Sequence, residues 1–187
     1  TYQQLVHRIH ALGSLLTVVE WAFIFLPILF HGLFGLVIIR GGMVIARSYP
    51  YASNVRYVLQ RATGLVALAF ILLHVFHMHG WIHADFWMRH VVEPLGGAQF
   101  RPYNAASTLA MTMQGVLIPT LYAVGVLSCV YHFANGLWSF AIVWGITVRG
   151  KAQNAFLLLV SVPLFLALTA MGTYALFSFE PPHNPPP

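Results

Sequence analysis

The chain has 187 residues, 59% hydrophobic and 7% charged, with a mean hydropathy of +0.76. Soluble domains carry roughly 25% charged residues, so a soluble enzyme is excluded and an all-α transmembrane protein is expected. The net charge of +5 comes from basic residues at the ends of apolar segments, which marks membrane topology and not a nucleic-acid surface, and the single cysteine, Cys129, excludes an internal disulfide or a Cys-rich cluster.

The first stretch, "TYQQLVHRIHALGSLL" (1–16), runs from polar to apolar and reads as the start of a spanning helix. No cleavable leader is expected, because apolar residues follow Arg8 at once with no cleavage-like site. Yet "TVVEWAFIFLPILFH" follows directly and already belongs to the next span. A spanning helix needs about 20 apolar residues. Segments 18–39, 62–82, 116–146 and 154–179 qualify, with an interfacial lead-in expected at 105–115 and room for a kink at Pro119 and Gly125.

Charge orients the spans. Arg40, Arg47, Arg56 and Arg61 lie in the link 40–61, and Arg149 and Lys151 lie in the link 147–153. The link 83–104 holds only Arg89 and Arg101, offset by Asp85 and Glu93. Basic links face the cytoplasm, so 116–146 is one span and the tail "FEPPHNPPP" lies outside. Residue 18 then starts near the outer face and leaves Arg8 outside as well, unless a crossing is absent. An absent stretch near residues 14–18 is therefore expected, and a continuous, normally bonded backbone there would contradict a break.

Ionisable groups deep in a membrane are costly and point to function. His31, His74 and His132 fit that description, each on a different span. With about 1.5 Å of rise per residue, His31 lies about 14 Å from Arg40, on the cytoplasmic half. His74 lies about 20 Å beyond Arg61 by the same rise, towards the outside. His132 falls at a depth compatible with His31, so these two can face each other, with His74 in a second layer. Two neutral imidazoles on facing helices can supply both axial ligands of a haem iron, an arrangement suited to electron transfer. Arg56 and Arg61 are natural partners for its propionates. The bland alternative is that each histidine bonds a backbone carbonyl on a neighbouring helix. His79 and His83 could share a metal if their helix continues through Gly80; interfacial histidines are the preferred reading.

Three segments, "VVEWAFIFLPILFHGLFG", "QRATGLVALAFILLHVFH" and "YHFANGLWSFAIVWGITV", resemble the membrane-anchor cytochrome b of succinate dehydrogenases and fumarate reductases. The match is to the single-chain dihaem type, the cytochrome b558 family, from Gln3 to about Phe179. His132 with Phe133, Asn135, Gly136, Leu137 and Trp138 is its most specific motif. The resemblance implies a bundle of five spanning helices, here four complete spans plus a truncated first helix. It also implies two haem b groups. His31 and His132 would ligate the haem nearer the cytoplasm, and His74 would supply one ligand of the outer haem. The family's partner for His74 lies deeper in the first helix, where this sequence has no counterpart between Leu16 and Val18. His10 matches a family histidine near the helix start, on the wrong side to reach the outer haem. Either a stretch is absent or the outer haem has lost a ligand.

The family implies a multi-pass protein of the bacterial cytoplasmic membrane that passes electrons to a quinone, typically menaquinone. Succinate chemistry would belong to a flavoprotein subunit and an iron–sulfur subunit docked on the cytoplasmic face, since this chain has neither a dinucleotide fingerprint nor the cysteines for a cluster. Glu20 is the candidate proton carrier at the quinone, against an interfacial carboxylate at a helix end. Trp21, Trp81 and Trp87 read as an aromatic belt. The rivals are the dihaem cytochrome b of a nitrate reductase, formate dehydrogenase or hydrogenase, and a haem-free transporter or proton channel lined by the three histidines.

Overall fold

In a computed structural model the described residues, 2–41 and 51–178, are helices joined by short links. Arg47, His183 and the proline-rich tail lie outside them. We number the helices α1 (Tyr2–His10), α2 (Ser14–Arg40), α3 (Ala52–His79), α4 (85–92), α5 (Ala105–Thr112), α6 (Leu117–Val143) and α7 (Gly150–Phe177). Four of them, α2, α3, α6 and α7, are long and apolar enough to cross a membrane. Their outward surfaces carry Leu, Ile, Val and Phe side chains such as Phe23, Phe30, Leu33, Leu159 and Leu166, all more than half exposed, as a lipid-facing bundle requires.

Prolines shape two of the spans. The turns at Trp21–Phe25 and Leu157–Ser161 widen to bonds spanning five residues. Pro27 and Pro163 follow them. Each proline lacks an N–H and crowds the carbonyl four residues back, and a widened turn relieves both faults.

Helix α3 begins ten residues before the expected start at 62. Its first turns carry Arg56 and Arg61, which hydropathy counts against a span. Their guanidinium groups instead lie over aromatic rings, Arg56 at 4.3 Å from the Trp138 ring centre and Arg61 at 3.6 Å from that of Tyr57. Long basic side chains with apolar stems extend the helix this way at a membrane face. The helix ends at His79 because Gly80 takes a left-handed conformation, φ 81°. His79 and His83 therefore do not share a helical face, although their rings come within 4.3 Å between centres.

The outer link caps what α3 leaves open. The N–H groups of Ala98, Gln99 and Phe100 donate to the carbonyls of Phe76, His77 and Met78, at 3.2, 2.9 and 3.1 Å. The carbonyls of His77 and Met78 would otherwise be orphan acceptors at a helix end, while that of Phe76 also accepts the Gly80 N–H at 2.9 Å. The expected lead-in at 105–115 is the separate helix α5. Helix α1 docks here too: Gln3 accepts the Ala105 N–H through Oε1 at 2.8 Å and donates through Nε2 to the Pro102 carbonyl at 2.6 Å. The N-terminal helix thus sits at the same end of the bundle as the 80–104 link.

Residues 1–16 do not form the start of a spanning helix. The chain turns after His10, with Gly13 at φ 56°, and re-enters helix at Ser14. Leu15 and Leu16 donate to the carbonyls of Leu12 and Gly13 at 3.3 and 3.1 Å.

Candidate functional site

The pair α3 and α6 run antiparallel, packed along their length, with α2 laid against α3 near Gly32 and Leu68. At their cytoplasmic half they enclose with α2 a cavity of about 1170 Å³, lined by His31, Gly64, Arg61, His132, Asn135 and apolar side chains. That exceeds the roughly 300–1,000 Å³ of ordinary ligand pockets.

His132 is fixed by helix α3. Its Nδ1 lies 3.0 Å from the backbone carbonyl of Gln60. A carbonyl only accepts, so Nδ1 carries the proton and Nε2 keeps its lone pair free. The ring reaches that carbonyl over Gly64, one turn further along, where a Cβ would stand 2.8 Å from His132 Cε1. Gln60 completes the arrangement. Its Nε2 donates to the His132 carbonyl at 3.0 Å, and its Oε1 accepts from Asn135 Nδ2 at 2.8 Å. Gly136 allows this approach, since a Cβ there would lie 3.1 Å from Gln60 Nε2.

Across the cavity stands His31, its ring centre 6.0 Å from that of His132 and its plane at 74°. With metal–nitrogen bonds of about 2 Å, two imidazoles on opposite sides of one iron put their ring centres about 6 Å apart. Arg61 lines the same cavity, with Nε and Nη1 buried and lacking a hydrogen-bond partner. An unpaired guanidinium beside an apolar cavity is suited to a carboxylate. Arg56 does not line the cavity; it stays over Trp138, whose Nε1 donates to the Gln153 carbonyl at 3.0 Å and ties α6 to α7. Among the described residues no group of three or more His, Cys, Asp or Glu is arranged for a bare metal ion. Two imidazoles alone suit an iron already held by a macrocycle.

The outer half differs. His74 Nδ1 lies 3.3 Å and His77 Nδ1 2.9 Å from the hydroxyl of Tyr122, which is buried. The structure does not bring His74 to His31 or His132. His10 is exposed at the outer end, its Nδ1 donating to the Val6 carbonyl at 2.9 Å. Glu20 is half-buried on α2, eleven residues outward of His31. Trp21, Trp81 and Trp87 gather at that same end, with Trp81 and Trp87 stacked at 6.1 Å.

A curated relative, the succinate dehydrogenase cytochrome b558 subunit of Bacillus subtilis (strain 168), is 35% identical over 156 residues, covering 83% of this chain and 69% of the relative. The chain belongs to the succinate dehydrogenase cytochrome b558 subunit family. No family model matches the chain, and no solved structure does. As a cytochrome b558 family member with four helices of spanning length, it is a multi-pass protein of the bacterial cytoplasmic membrane and a subunit of an enzyme complex. The residues that serve the site without having stood out in the sequence are Gln60 and Tyr122; Gly64 reads there only as a small residue that lets helices approach closely.

Proposed function

We propose that this cytochrome b558 family chain holds haem b between His31 and His132 and links an iron–sulfur subunit to a membrane quinone. The observation that supports it is the bond from His132 Nδ1 to the Gln60 carbonyl, which leaves Nε2 its lone pair, in a cavity lined by both His132 and His31 with their ring centres 6.0 Å apart. A haem in that position supplies one-electron exchange, which two nitrogen ligands favour over oxygen binding.

The chain's own residues do the rest. The Gln60 carbonyl holds the imidazole in one tautomer and raises its donor strength. Gly64 and the apolar lining exclude water from the cavity. Arg61, which lines the cavity, would neutralise a propionate of the bound haem. The basic links 40–61 and 147–153 receive the iron–sulfur and flavoprotein subunits. At the outer end, Glu20 serves as the proton carrier for a bound quinone, menaquinone in the reading the family suggests.

The test is a dithionite-reduced minus oxidised spectrum of the purified complex, with and without His31→Ala and His132→Ala. Both variants lose the b-type signal of the haem held by this pair, and the unmutated chain co-purifies with a flavoprotein. Absence of b-type bands in the unmutated complex ends this reading.

A further inference from the structure

The outer half of the α3–α6 interface does not fit a second haem. His74 and His77 lie three residues apart on one helix, so they share a face and cannot take opposite sides of one macrocycle. The position facing them on α6 is Tyr122, and its single hydroxyl is engaged with both imidazoles. Beside them the Phe70 ring stands edge-on to Tyr122, 5.3 Å between centres and at 87°, and 5.8 Å from the His74 ring. That ring lies flat against Gly125, where a Cβ would come within 2.1 Å of it. The same two helices that open a cavity at Gly64 are therefore closed at Gly125 by the Phe70 ring, with the rings of His74, His77 and Tyr122 packed beside it.

Resting on the proposal that His31 and His132 hold haem b, we infer that this chain binds a single haem b. The family's outer haem layer is replaced here by a packed, hydrogen-bonded cluster of Phe70, His74, His77 and Tyr122. Polar groups inside a membrane must find partners within the protein, and the Tyr122 hydroxyl gives both imidazoles theirs. His74 is thus a structural residue in this chain, and the one haem lies on the cytoplasmic half.

The experiment is haem stoichiometry on the purified complex by pyridine haemochromogen, against chain quantity by amino-acid analysis, with a potentiometric titration of the same sample. The expected ratio is about one, with one single-electron wave. His74→Gln, which keeps a polar side chain beside Tyr122, and His74→Leu leave ratio and wave unchanged, whereas His132→Leu abolishes both. A ratio of about two, a second wave, or loss of haem in His74→Gln overturns the inference while leaving the His31–His132 pair standing. A ratio near zero in the unmutated complex removes the pair, and the inference with it.

Discussion

Gly64→Ala probes the way helix α3 makes room for the imidazole. The added Cβ would stand 2.8 Å from His132 Cε1 and 3.0 Å from Nδ1, where ordinary contact begins at 3.4 Å. The ring must retreat by about 0.6 Å, and α3 cannot yield because its backbone is the surface being touched. Retreat lengthens the 3.0 Å bond to the Gln60 carbonyl to about 3.6 Å, beyond hydrogen-bonding distance. The imidazole then loses the group that sets its tautomer. Overpacking of this kind costs about 1–3 kcal/mol, which corresponds to a weakening of haem binding between about fivefold and about 150-fold. The assay is absorbance titration of haem into detergent-solubilised apoprotein, with Gly150→Ala as the control, since a Cβ there meets nothing within 4 Å. A dissociation constant for Gly64→Ala within about twofold of the control's, a shift under ~0.5 kcal/mol, refutes the reasoning.

Gln60→Leu removes the side-chain bonds to Asn135 and to the His132 carbonyl but spares the main-chain acceptor. Haem content stays at the wild-type level, while the stranded Asn135 lowers stability by about 1–3 kcal/mol, read as earlier thermal loss of the haem spectrum. Gly125→Ala drives a Cβ into the Phe70 ring at 2.1 Å and forces α3 from α6, so thermal inactivation accelerates; an unchanged profile would contradict the closed outer layer. Arg61→Leu removes the unpaired guanidinium from the cavity and weakens haem retention during gel filtration, whereas Arg61→Lys preserves most of it; equal retention in all three forms would remove Arg61 from the site.

The facing of His31 and His132 was legible in the sequence, because helical rise and the basic links set their depths independently of any side-chain detail. The spans were legible for the same reason, except where a physical effect outside hydropathy intervened. Helix α3 starts early because Arg56 and Arg61 lie over Trp138 and Tyr57, a tertiary contact that composition does not register. The N-terminal stretch looked like a first span because it is amphipathic at its start. It instead docks sideways through Gln3 onto the Pro102–Ala105 turn, 99 residues or more away in the chain. Tyr122 was hidden because an aromatic residue in an apolar run looks like core, and only the antiparallel register of α3 and α6 sets its hydroxyl between two histidines.

The acceptor that orients His132 belongs to the peptide backbone of residue 60, not to its side chain. A side-chain acceptor can be lost by one codon change, but a main-chain carbonyl is present whatever amino acid the codon specifies. Position 60 can therefore drift through many residues in evolution with the imidazole still oriented. Position 64, which has no room even for a Cβ, is where selection on this site must act.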